Sequence, residues 1–124
     1  MPHINVEYSK DLAEAFDRTA FAKDAHEALV SIAGGRAGGC KTRFTRLDET
    51  YIADGADGYA MIHVRIGILS GRSAEVKREL NEAVLASLRK HTAPTPRFEV
   101  QLSVELRDLD RETYVRHADP RTAS

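Results

Sequence analysis

Cysteine is almost missing from this chain of 124 residues, and the single one, Cys40, excludes an intrachain disulfide and a zinc site built from thiolates. Next to Gly38 and Gly39 it reads as a small half-buried filler rather than a nucleophile. An excess of either charge is missing too. Eighteen Lys plus Arg stand against nineteen Asp plus Glu, a formal charge of -1, so no global field favours nucleic acid or an anionic membrane and any cationic function must be local. No apolar run approaches the length of a membrane span, and the first residues have neither a basic stretch nor an apolar signal segment. The expectation is a cytoplasmic protein with no nucleic-acid or membrane partner. His3, His26, His63, His91 and His117 show no ligand spacing, which leaves no support for a metal site.

What is present is alternation. Ile4, Val6 and Tyr8 alternate with His3, Asn5 and Glu7, the period of a half-buried strand that starts directly after Met1-Pro2. Removal of a methionine ahead of proline would turn the Pro2 nitrogen from a tertiary amide without a basic lone pair into a secondary amine. A free α-amino group titrates at roughly 7.7 to 8.0. Proline's secondary amine is intrinsically more basic, and partial burial or nearby cations would pull it toward neutral pH. The same residues also fit an ordinary edge strand opening on a proline.

A helix is expected next, with Ser9 as N-cap and Leu12, Ala15, Phe16, Ala22, Ala25, Leu29 and Ile32 as its apolar stripe, stopping at Gly34-Gly35. Residues 40–47 form an unusually cationic strand, with Lys41, Arg43 and Thr45 on one side. Turn signals in residues 48–58 lead to the clearest strand, where Ala60, Ile62, Val64, Ile66 and Ile68 alternate with Met61, His63 and Arg65. Ser73 can cap a second helix running to about Lys90, with Val76, Leu80, Val84 and Leu88 at four-residue steps. Residues 92–96 break it. Phe98, Val100, Leu102, Val104 and Leu106 then mark a fourth strand.

This order is two βαβ units, an α+β fold in which a four-stranded sheet carries both helices on one face. Its other face would expose His3, Asn5, Glu7, His63, Arg65, Gln101, Ser103 and Glu105, solvated in a monomer or lining the inside of a symmetric ring. Residues 1–109 make one domain long enough for one core. Residues 110–124 are a polar tail with Tyr114 and Val115 as its sizeable apolar residues, expected to fray or to reach a partner subunit.

In sequence the chain resembles the 5-carboxymethyl-2-hydroxymuconate isomerase family of the tautomerase superfamily. The likeness rests on Pro2-His3 with Val6-Glu7, Phe21-Ala22-Lys23, Ala53-Asp54-Gly55 followed by Tyr59-Ala60 and His63, Gly71-Arg72-Ser73, and Leu102-Ser103-Val104-Glu105-Leu106. The resemblance implies a homotrimer whose sheets form a central barrel, with no metal and no organic cofactor and a small-molecule carboxylate as substrate. It implies Pro2 as the base that takes an enol proton and returns it to carbon, and Arg72 as the cation where charge grows. Arg72 also sits just before a helix N-terminus, where backbone N–H groups favour an anion. Lys41 and Arg43 match the family's basic residues on the second strand. Lys41 stands where the family commonly has arginine, so the bidentate fork is lost there. A non-enzymatic carboxylate-binding or partner-binding trimer is the alternative, since fold does not fix function. A third reading is another proline-dependent enzyme of the superfamily. A water-activating carboxylate for that chemistry is not offered by Glu7, whose parity turns it away from Pro2.

Overall fold

The computed structural model describes residues 2–122. Strand β1 (His3–Ser9) lies inside a sheet of order β2-β1-β3-β4, with β2 at Lys41–Leu47, β3 at Tyr59–Leu69 and β4 at Glu99–Leu109. Strands β1 and β2 pair in parallel, as do β3 and β4, and β1 runs antiparallel to β3. Each parallel pair is bridged by a helix, α1 (Arg18–Ala33) and α2 (Ala74–Lys90), so the two βαβ units meet along the β1–β3 ladder.

Alternation decides which face is covered. Ile4, Val6, Ala60, Ile62, Val64, Ile66 and Ile68 are at most 1% exposed and point to the helices. Phe21, Ala25 and Leu29 from α1 and Leu80, Val84 and Leu88 from α2 are fully buried and complete one core. Complete burial of such a side chain contributes about 1.5–3 kcal/mol. The opposite face carries His3, Asn5, Glu7, His63, Arg65 and Glu105, none of them buried.

The start of α1 departs from expectation. Ser9 is the last residue of β1, 3% exposed, and its hydroxyl accepts a hydrogen bond from the Met61 N–H at 2.9 Å. A short 3₁₀ turn at Lys10–Leu12 follows, and α1 begins only at Arg18, where the Asp17 carboxylate accepts from the Ala20 N–H at 3.2 Å. Leu12 and Phe16 still reach the core, which is why their spacing imitated helix. The expected stop is present: Gly34 adopts φ 71°, a left-handed cap, and Gly34 N–H and Gly35 N–H return to the carbonyls of Val30 and Leu29. Ser73 caps α2 as expected, accepting from the Val76 N–H.

The segment after β4 does not fray at its start. Thr113 and Tyr114 N–H bond to the Asp110 carbonyl, and Arg111 is tied to Ser70 through its N–H and its Nε. Among the described residues no helix is long and apolar enough to cross a membrane.

Candidate active site

Pro2 is buried at the head of β1, and its carbonyl accepts from the Lys41 N–H at 3.0 Å. Beside it the chain leaves α1 through Gly34-Gly35. A Cβ built on Gly35 would sit 3.0 Å from Pro2 Cγ and 3.2 Å from the Leu29 carbonyl oxygen. A side chain at residue 35 would need the Pro2 ring and the Leu29 carbonyl to give by a few tenths of an ångström. Gly35→Ala should therefore push Pro2 outward, at a typical overpacking penalty of about 1–3 kcal/mol. Thermal unfolding together with turnover checks it; a variant with unchanged Tm and unchanged kcat/KM would show that the contact is slack.

Pro2 opens onto a depression of about 170 Å³ whose wall includes Gly35, Leu69, Arg72, Arg36 and Arg111. Thus Pro2 and Arg72, far apart in sequence, meet at one cavity. Gly71, at φ 122°, turns the chain so that Arg72 reaches back across it. The guanidinium donates from Nε and Nη2 to the Ala33 carbonyl at 3.0 and 2.8 Å, and from Nη1 to the Leu69 carbonyl at 2.9 Å. Three of its five N–H groups are so engaged, which fixes its plane and leaves two for another acceptor.

Arg36 also borders a second, larger depression of about 450 Å³, together with Gly38, Gly39 and Arg116. Arg36, Arg72, Arg111 and Arg116 have no ion-pair partner among the described residues. Sequence reasoning missed Arg36, Arg111 and Arg116. Arg36 was visible only as a basic residue within a run of glycines, and nothing local marks Arg111 or Arg116.

Lys41 and Arg43 line neither depression. The Lys41 ammonium donates to the Gly39 carbonyl at 3.0 Å, beside the larger one. Arg43 is on the far face of the sheet, donating to Asn5 Oδ1 at 3.0 Å and to His3 Nδ1 at 3.3 Å. There it borders a shallow region with His3, Arg65, Arg107 and Tyr114. Since the Arg43 guanidinium can only donate, neutral His3 accepts at Nδ1 and carries its proton on Nε2, which then donates to the Tyr114 hydroxyl at 2.7 Å. The two rings meet edge to face at 6.0 Å.

Burial, followed by the Arg43 and Lys41 charges, holds the His3 pKa below its ordinary value. Burial alone does the same for His26, which is hydrogen-bonded to Thr42 across the α1–β2 contact. Both imidazoles bind protons more readily in the unfolded chain. Their contribution is present above about pH 6.5 and is lost as pH falls through the lowered folded values. Urea unfolding should accordingly show lower stability at pH 5.5 than at pH 7.5, and His26→Gln should shrink that difference. A pH-independent midpoint over this range would contradict the assignment.

His63, mid-strand on the polar face, is hydrogen-bonded to Ser103 at 2.7 Å and to Glu105 at 2.6 Å, the satisfied arrangement of a structural histidine. Its hydrogen bond, then that of Arg107, holds the Glu105 carboxyl below the usual range. Burial pushes the Cys40 thiol up, so it stays protonated near neutrality. Among the described residues no three His, Cys, Asp or Glu side chains group as a metal site.

Comparison with known proteins gives the chain a family. The family model for 5-carboxymethyl-2-hydroxymuconate isomerase matches residues 2–122. A 5-carboxymethyl-2-hydroxymuconate Delta-isomerase of Escherichia coli is 27% identical over 110 residues, covering 88% of this chain and 87% of that protein. The crystal structure of a 5-carboxymethyl-2-hydroxymuconate isomerase from Deinococcus radiodurans R1 superposes with a TM-score of 0.79 at 26% identity, covering 95% of this chain and 90% of the other. A fused 4-OT, described as a symmetric trimer, shares the fold with a TM-score of 0.72 at 22% identity, covering 89% and 87% of the two chains. This chain belongs to the 5-carboxymethyl-2-hydroxymuconate isomerase family, within the tautomerase superfamily.

Proposed function

We propose that the protein is an isomerase that moves a proton within a 2-hydroxymuconate-type di- or tricarboxylate, with a free Pro2 amine as the only acid and base. Met1, on whose removal this depends, lies outside the described residues. The observation that carries the reading is the shared cavity, in which Pro2 faces a wall containing Arg72, Arg36 and Arg111. In the proposed reaction the Pro2 nitrogen takes the enol O–H proton and leaves a conjugated dienolate. The ammonium so formed returns the proton to a distant carbon as the oxygen becomes a carbonyl, and no metal or organic cofactor enters the balance.

Arg72 stabilises the oxygen or carboxylate where charge builds, with a guanidinium already fixed in plane by the Ala33 and Leu69 carbonyls. Lys41, tied beside the larger depression, contributes to ground-state gripping of a remote carboxylate. Arg43 acts as a positioning residue in this reading, because it clamps Asn5 and His3 on the strand that Pro2 heads. Its removal should therefore lower kcat, by loosening the seat of Pro2, more than it raises KM.

The test is direct: purified protein lacking Met1 is mixed with 2-hydroxymuconate and with its 5-carboxymethyl derivative, and loss of the conjugated dienol is followed by ultraviolet absorbance. Isomerisation faster than the buffer reaction supports the proposal; none with either compound removes it. The second reading, a carboxylate-binding module without chemistry, draws on the engagement of Arg72 with two backbone carbonyls.

Cytoplasmic action in homoprotocatechuate breakdown, as a homotrimer, completes the proposal. Among the described residues the long edge strand β4 pairs only with β3, and Glu7, Arg65 and Gln101 on the polar sheet face are exposed, a state that ring closure would relieve. Light scattering should give about three times the 13.7 kDa chain mass. A monomer at micromolar concentration would count against the barrel.

A further inference from the structure

We propose that Arg36 and Arg116, with Arg111 adjoining them in the Pro2 depression, form a second anion subsite, through which the C-terminal segment selects substrates bearing a carboxylate beyond those handled at Pro2 and Arg72. The inference rests on the isomerase reading for the identity of the substrate, but its physical basis is separate. The two depressions are neighbours that share Arg36 in their walls, so the larger space lies beside the one that Pro2 lines. That space, about 450 Å³, exceeds what a single carboxylate fills and leaves room for a side branch.

Charge is the second observation. In a chain of net charge -1, four arginines from three separate segments gather around these two depressions, and no described carboxylate pairs with any of them. Surface arginines are ordinarily solvated and singly uninformative. Like charges gathered around one concavity repel, and an anion entering it removes that repulsion while accepting forked hydrogen bonds.

Placement is the third. Arg111 spends its Nε on the Ser70 carbonyl at 3.1 Å, and its Nη2 would lie 3.9 Å from a Cβ built on Gly71, so its two terminal nitrogens remain near the turn that presents Arg72. Beyond it, Tyr114 is held by His3 at 2.7 Å, which restrains the chain only two residues before Arg116. The segment is therefore tied at Ser70 and at His3, and it delivers Arg111 to the wall of the Pro2 depression and Arg116 to the wall of the larger one.

Calorimetric titration with unreactive saturated acids tests this without relying on turnover. Propane-1,2,3-tricarboxylate and glutarate serve as the probes, with wild type, Arg116→Gln and Arg36→Gln as proteins. Wild type should bind the tricarboxylate about tenfold or more tightly than glutarate, the scale of one charge-assisted hydrogen bond, and raised salt should weaken the preference. Each variant should lose at least about threefold more affinity for the tricarboxylate than for glutarate, part of the same hydrogen-bond term. Equal losses for the two probes, no loss, or no preference in wild type would overturn the subsite. Because Arg36 and Arg116 are exposed, the variants are expected to fold, and matching melting curves verify it. Turnover of the two muconates separates the claims. Activity without tricarboxylate preference rejects the subsite alone, whereas preference in an inactive protein rejects the isomerase and keeps the anion site.

Discussion

Protein that retains Met1 is expected to lose about 10²- to 10⁴-fold in kcat/KM on a 2-hydroxymuconate, the range typical of a positioned acid–base group. The reason lies in bonding at one atom. With Met1 attached, the Pro2 nitrogen is a tertiary amide whose lone pair is delocalised into the carbonyl, so it cannot accept an enol proton. Two preparations, one processed and one expressed without methionine removal, can be told apart by intact mass and compared at equal concentration. Pro2→Ala offers an internal control: its primary amine should retain part of the activity with a displaced pH profile. Pro2 is buried against Gly35, so the control also needs a melting curve to show that the strand head is still seated. Equal activity with and without Met1 would sink the assignment of Pro2, whatever the fold.

Arg72→Ala is the second large effect, and it should appear twice. On catalysis, removing a charge-assisted bond formed as the dienolate develops is worth about 1.5–3 kcal/mol, roughly ten- to a hundredfold at about 1.4 kcal/mol per decade. The fall should be in kcat as well as kcat/KM. On stability, the Ala33 carbonyl at the end of α1 and the Leu69 carbonyl at the end of β3 lose their guanidinium partner, so Tm should drop. Arg72→Lys separates the two, since an ammonium restores the charge but cannot span both carbonyls as the planar fork does. Partial rescue of kcat with little rescue of Tm would assign the charge to chemistry and the fork to structure. Full kcat in Arg72→Ala, measured well below its Tm, would leave Arg72 as a structural clamp and favour the binding module.

Much of this molecule was legible in one dimension. Alternation at Ile4, Val6 and Tyr8, and again from Ala60 to Ile68, stated both the strands and the face they bury, because side chains of an extended chain point to opposite sides at every step. Ser73 and Gly34 announced helix ends through local hydrogen bonds and a left-handed φ that their neighbours alone determine. Order and type of the elements, with Pro2 at the head of the first, needed no more than this.

Tertiary structure decided what local rules leave free. Ser9 looked like a helix cap until Met61, fifty-two residues away, claimed its hydroxyl and held β1 extended. Arg43 lies on the same strand face as Lys41, and the parallel register with β1 lays its side chain beside Asn5 and His3, away from the Pro2 cavity. Arg36, Arg111 and Arg116 come from a glycine-rich connection and a polar tail, where no period constrains direction. Their convergence depends on where Gly34-Gly35 releases the chain after α1 and on where Ser70 and His3 tie the segment beyond β4. Periodicity speaks for the faces of regular elements; the meeting of loops is set by long-range strand pairing and by hydrogen bonds between residues far apart in the chain.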